Sequence, residues 1–424
     1  MRTNGDDVLG MSVKAGAAAG VFALLLVGWI MVTKDTSEPL TTDALLGPTT
    51  TLMPSSTTSP DTLEPQTSGP PTTRSSLETS DDYLDGLPRS LVAGGDAING
   101  AADAGVTETT VARAAGPAPV RIPRPLCAAS LGAASSRTAP FTGLTASIPS
   151  NMPAVLVKVS NNSSKSRAAL IGIDQADIVF EERIEASATR FAAVFHSSLP
   201  SNVGPVRSGR TTDIQITQNL NRPVMGYSGS NAGVAAQIKF AADNGLVVPY
   251  VNNDSAPFAR DSRYSAPDNL FVDPVSLGAC GGGGNPTPIF SYGPASSTTA
   301  QPASSVSMQA RSPYRFDWNG TGWTRSQDGY THTTRTGAAI APSNVVVLFV
   351  PYVPSAIDSA SVDAQTIGSG NAWVFRDGTI TQGSWTRAKG HEPYTLIGGN
   401  GTQTTLAPGQ TWVVLAPAGT ASWG

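Results

Sequence analysis

Cysteine and histidine are scarce in this chain. Two cysteines, Cys127 and Cys280, exclude a disulfide scaffold and a four-cysteine zinc site. Three histidines, His196, His332 and His391, lie too far apart in sequence to suggest a His-rich metal centre. Charge is sparse as well. Only 14% of residues are Asp, Glu, Lys or Arg, and the formal net charge is −4. No basic surplus exists to neutralise a phosphate backbone, which argues against a nucleic-acid partner. Catalytic signatures are missing too. The four glycines at 281–284 are followed by a proline-rich stretch rather than by Gly-Lys-Ser/Thr and a helix, so they are no phosphate loop. Ser208 and Ser230 stand outside any G-x-S-x-G elbow. Neither a metal nor a cofactor is therefore expected.

What the chain does contain is glycine and proline, 43 and 33 of its 424 residues. They point to a loop-rich globular protein with a low-complexity stretch. Residues 15–32 form an uncharged apolar run flanked by Lys14 and Lys34. It is just long enough to cross a hydrocarbon core of ~30 Å as a helix. We read residues 1–14 as a cytoplasmic tail and 15–33 as an uncleaved signal anchor. A cleaved signal peptide is the competing reading, but no A-x-A site follows the run. The expected location is the cell membrane, single-pass, with the folded part extracytoplasmic. Cys127 and Cys280 would then face an oxidising space in which they could pair. Residues 34–120 are rich in Thr, Ser and Pro and cannot bury enough apolar surface to offset their ordering entropy. They read as a disordered tether with a mean reach of ~50 Å.

The expected fold class is α+β. An N-terminal α/β domain with a mixed sheet spans 121–279, a linker spans 280–305, and a smaller β-rich domain spans 306–418. In the first domain, residues 154–159, 176–184, 189–196, 223–228 and 247–251 read as strands. Residues 212–220 and 231–243 read as helices, the second closed by Gly245. In the second, short strand-like runs are punctuated by Asn319-Gly320, Asp328-Gly329 and Asp377-Gly378, which are hairpin signals. We read these runs as a small sheet or barrel. Six of the seven tryptophans lie from residue 306 onward and are expected to pack its core and edges.

The richest chemistry lies in residues 174–210. In a strand over 177–184, Ile178, Phe180, Glu182 and Ile184 share a face. Glu182 is thus a carboxylate among apolar neighbours and needs a cationic partner, with Arg190 or Arg207 as the donor. Loops at the carboxyl ends of strands are where α/β sheets bind ligands. A site built from Arg190, Arg207, Arg210, Tyr227, Ser230, Arg260, Asp261 and Asn269 would suit an anionic or polyhydroxylated ligand. The competing reading is an internal ion-pair network that holds the loops. His332 and His391 read as isolated surface residues.

Several runs resemble one family. Gln175 to Glu181, Thr189 to Phe195 and Gly204-Pro205-Val206-Arg207-Ser208 are similar to the YerB-like DUF3048 proteins of bacteria. So are Ala266-Pro267-Asp268-Asn269-Leu270-Phe271 and, further on, Val374-Phe375-Arg376-Asp377-Gly378, Gly383-Ser384-Trp385 and Pro408-Gly409-Gln410-Thr411-Trp412. The resemblance covers residues 120–418 and implies two domains tethered outside the membrane. It implies no established activity. The chain departs from the family pattern at Ser160, where the pattern has an acid, and at Asp268, where it has His. Many relatives look like lipoproteins, whereas this chain carries an apolar run without a following cysteine. The expectation is an envelope-binding protein whose ligand is a cell-wall glycan or an anionic polymer. A hydrolase or transferase acting through Glu and Asp residues, or an interaction module without catalysis, are the alternatives.

Overall fold

The computed structural model describes residues 131–252, 257–295, 299–357 and 361–424. The expected anchor and tether lie outside the described residues. Among the described residues no helix is long and apolar enough to cross a membrane.

The first part opens with a hairpin, β1 (Ala134–Thr138) and β2 (Thr145–Pro149). Then comes β3 (Val155–Ser160), buried along its whole length, and the short α1 (Ser164–Ala168). Next are β4 (Ile178–Arg183), β5 (Thr189–Phe195), α2 (Thr211–Thr217) and β6 (Val224–Tyr227). The amphipathic α3 (Ala232–Asp243) begins at Asn231, whose side chain accepts a bond from the Val234 N–H at 2.8 Å. The first part continues with β7 (Val248–Val251), β8 (Phe258–Arg260), β9 (Leu270–Val272) and α4 (Pro274–Gly278). The five expected strands and two expected helices coincide with β3–β7 and with α2 and α3. Cys280, just past α4, is disulfide-bonded, and Cys127 lies outside the described residues.

The second part is entirely strands: β10 (Gln301–Pro302), β11 (Ser305–Met308), β12 (Tyr314–Trp318), β13 (Trp323–Gln327), β14 (Tyr330–Thr331) and β15 (Asn344–Phe349). It goes on with β16 (Tyr352–Pro354), β17 (Val362–Ala364), β18 (Gly368–Arg376), β19 (Thr379–Arg387), β20 (Thr395–Gly398), β21 (Thr411–Ala416) and β22 (Ala421–Trp423). The β18–β19 turn places Asp377 and Gly378 at φ 50° and 69°, the left-handed pair that a two-residue hairpin needs.

The two parts share one eleven-stranded sheet, in the order β10-β19-β18-β15-β21-β4-β5-β3-β6-β7, with β20 on β19. The junction is β21, which runs parallel to β15 on one side and to β4 on the other. A second sheet, β14-β13-β12-β11-β22, packs on one face through Phe316, Trp323 and Trp412. Helices α2 and α3 cover the opposite face through Ile214, Ile216 and Ile238. So β4 and β5 lie mid-sheet with both faces buried, and any charge on them must find its partner inside the protein.

Candidate functional site

Adjacent glutamates on β4 point to opposite faces, as strand geometry requires. On the face covered by the second sheet, Glu181 is fully partnered. It accepts from Arg325 Nη2, from Thr189 Oγ1 and, through its other oxygen, from Trp412 Nε1, each at 2.8 Å. Arg325, itself wholly buried, also donates to Gln327 at 2.8 Å and to His332 Nδ1 at 2.5 Å. The guanidinium lies 4.6 Å from the Tyr314 ring centroid and 5.5 Å from that of Trp412. His332 was expected at the surface, but it is buried in this cluster. Burial, and then the charge of Arg325, push its pKa well below the ordinary range, so the imidazole is neutral.

The helical face is different. Lys158, also wholly buried, donates to Glu182 Oε1 and, at 2.6 Å, to Asp213 Oδ1. Glu182 therefore pairs with Lys158, not with Arg190 or Arg207 as expected. Burial pushes the Asp213 carboxyl up to about 6 despite its bond to Lys158, and its other oxygen accepts the Arg210 N–H at 2.7 Å. Arg190 sits opposite both Glu182 and Ser160 in the β4–β5–β3 register. It is 4% exposed, and one weak bond, Nη1 to the Ser208 carbonyl at 3.3 Å, holds it. Burial, and then the positive charges of Arg210 and Arg207, lower its pKa to about 9.

The loop Arg207–Arg210 lies against this row. The Arg207 N–H bonds the Lys158 carbonyl at 2.9 Å, and the Gly209 N–H bonds the Gly229 carbonyl at 3.0 Å. Arg210 pairs with Glu185 at 2.9 Å, whereas half-buried Arg207 has no ion pair among the described residues. The Nε–H groups of Arg190, Arg207 and Arg210 are all buried without an acceptor. Glu182 Oε2 beside them is likewise unpartnered. Such groups are uncommon in folded proteins, and several in one place mark a spot where water or a ligand completes the bonding. The second part contributes Ser361, which bonds Glu185 at 2.8 Å, and Asp363, whose carboxyl burial pushes up to about 6.

The structure thus brings Arg190, Arg207 and Arg210 together, with Tyr227 buried beneath them close to Asp213. Ser230 is half-buried on the loop after β6. The other three expected residues occupy the β8–β9 hairpin. There Arg260 bonds Asn269 at 2.9 Å, while Asp261 binds Arg263 and, at 3.0 Å, Arg335. The two departures from the family pattern touch each other, Ser160 Oγ donating to Asp268 at 3.4 Å. Sequence reasoning missed Lys158, Asp213 and Asp363. A signal for Lys158 was present: it is one charge inside an apolar strand, the same anomaly that marked Glu182. Among the described residues no cluster of three or more His, Cys, Asp or Glu could hold a metal ion.

Two family models match in order: the "Protein of unknown function (DUF3048)" N-terminal domain over residues 141–283, and its C-terminal domain over 304–413. The chain is 26% identical over 297 residues to "Putative lipoprotein YerB" of Bacillus subtilis (strain 168), covering 66% of this chain and 86% of that one. The crystal structure of the YerB protein from Bacillus subtilis superposes with a TM-score of 0.58 at 23% identity, over 68% of this chain and 99% of that one, which establishes a common fold. With both domains present in order, the chain belongs to the YerB-like DUF3048 family.

Proposed function

We propose that the protein binds an anionic component of the cell envelope, a cell-wall glycan or an acidic polymer, at Arg190, Arg207 and Arg210. The observation that carries this reading is the set of three buried guanidinium Nε–H groups without an acceptor. Arg210 and Lys158 have carboxylate partners, but Arg190 and Arg207 have none within bonding distance, so two guanidinium groups remain for an anion to pair with. Glu182 Oε2, an unpartnered acceptor beside them, would receive a ligand hydroxyl. A location outside the cytoplasm, tethered to the membrane, is supported by the apolar run at 15–32 and by the relative named as a lipoprotein. Titrating the full-length chain with soluble anionic wall fragments tests the reading. Arg207→Ala should weaken binding at least roughly tenfold, the loss of about one charge-assisted bond. Binding that survives Arg207→Ala and Arg190→Gln unchanged would sink the assignment.

A second reading, an envelope hydrolase or transferase, is favoured by one observation: Glu182 and Asp213 converge on the same Lys158 ammonium. Two carboxylates at one locus, one with a raised pKa, can divide acid and base roles. Turnover of wall fragments that Glu182→Gln abolishes while binding persists would establish it.

A further inference from the structure

One cavity lies away from the arginine cluster, past the opposite end of β5. It measures about 610 Å³ and is walled by the β1–β2 hairpin, the segment 285–293 and Pro408. That volume falls in the range of small-molecule sites. Its walls are rigid and apolar: Pro140, Pro286, Pro288 and Pro408, with the rings of Phe290 and Tyr292. The Tyr292 hydroxyl is tied to the Phe141 carbonyl, so that ring is fixed in place.

Two basic side chains, Arg137 and His196, line this space beside Thr138, Asn285, Thr287 and Ser291. Arg137 donates through Nη2 to the Pro149 carbonyl at 2.7 Å and to Asn285 Oδ1 at 2.6 Å, both neutral acceptors. Among the described residues no carboxylate pairs with it. Asp177, whose charge reaches Tyr292, has its two oxygens held by the Ser197 N–H and hydroxyl. His196 is 2% exposed, and Nε2 faces the Met152 carbonyl at 3.2 Å. Its Nδ1 is buried, and the Asn285 side chain is its polar neighbour. Burial, and then the charge of Arg137, hold the ring neutral by lowering its pKa to about 4. A cation without a counter-ion at an apolar cavity fits an anion with an apolar body.

We propose that this cavity is a second binding site, for a small monoanion with a flat apolar body, its carboxylate on Arg137 and its ring against Phe290, Tyr292 and the prolines. The site is independent of the arginine cluster and takes a smaller and less polar molecule.

Calorimetric titration of the full-length chain with 2-naphthoate tests this. The expected result is saturable one-to-one binding with Kd on the order of 0.1–1 mM. The neutral analogue 2-naphthylmethanol should bind at least about tenfold more weakly, the difference made by one charge-assisted bond. Arg137→Gln should bring naphthoate down to the level of the alcohol. Thr287→Trp, an exposed lining position where a bulky ring fills the space, should abolish binding with the melting temperature unchanged. Arg207→Ala should leave naphthoate binding intact. No saturable binding, equal binding of acid and alcohol, or binding unaltered in Thr287→Trp would each overturn the proposal.

Discussion

Glu181 and Glu182 are neighbours on one strand, equally buried, and their surroundings differ completely. Glu181 faces the second sheet and finds a guanidinium, a hydroxyl and an indole, so both its oxygens are satisfied. Glu182 faces the helices and finds Lys158 on one oxygen and no partner on the other. Around the first, the carboxylate itself is fully partnered and ties β13 and β21 to β4, although Arg325 Nε and His332 Nε2 in the same network have no partner. Around the second the network is open, with three guanidinium groups short of acceptors. A closed buried network is worth conformational specificity, and an open one is tolerated where something else completes it. On the reading proposed above, charges that hold the fold and charges that would hold a ligand divide by face, not by stretch.

The comparison can be broken most sharply at Arg325. Arg325→Met strands the Glu181 carboxylate in a dry interior and should cost about 3–5 kcal/mol, read by denaturant unfolding. A loss below about 1 kcal/mol would show that the Glu181 network is not a structural latch.

The open face should reveal itself by pH. The Asp213 carboxyl is raised to about 6 in the folded protein from about 3.8. Its folded form thus holds a proton more tightly than the unfolded chain does. The stability this confers is complete below about pH 4 and is lost as pH rises through 6. Asp213→Asn should remove a decline on the order of 1–3 kcal/mol between pH 4 and 7, measured as the difference between the two stability profiles. With Asp363 also near 6, anion binding at the arginines should strengthen from pH 8 to pH 5. A flat binding profile would separate these carboxylates from the site.

Arg207→Ala is expected to change stability by no more than about 0.5 kcal/mol, because the side chain is half-buried and has no ion pair, even as it weakens ligand binding tenfold. Thr189→Val removes one bond to Glu181 and one from Asn161. It should cost about 1 kcal/mol in unfolding experiments and leave ligand binding untouched. Weakened binding there would mean that the two faces communicate.

Much of the first part was readable from local pattern. Runs such as Val155 to Val159 and Thr189 to Phe195 are apolar and β-branched, and they are the central strands. The hairpin at Asp377-Gly378 was equally plain, because its backbone demands those residue types. What local pattern does not carry is pairing between distant segments. Nothing in Thr411–Ala416 announces that it runs parallel to Ile178–Arg183, more than two hundred residues earlier. The site divides in the same way. Arg190, Arg207 and Arg210 were visible as charges in an apolar stretch. The partners that decide their state, Lys158, Asp213 and Asp363, come from β3, α2 and β17, and only the fold assembles them.

The position of β21 has a consequence for how the protein comes to be made. Until Thr411–Ala416 is available, β4 and β15 each present a row of unpaired backbone groups, and the slot between them stays empty. Such parallel, long-range closure is slow and leaves strand edges open to other chains in the meantime. Residues 141–283 expressed alone would carry that open edge permanently. The half of the molecule that bears the arginine cluster is in this sense finished by the other half, and a chaperone or a narrow compartment would matter most in the interval before the last strand slides in.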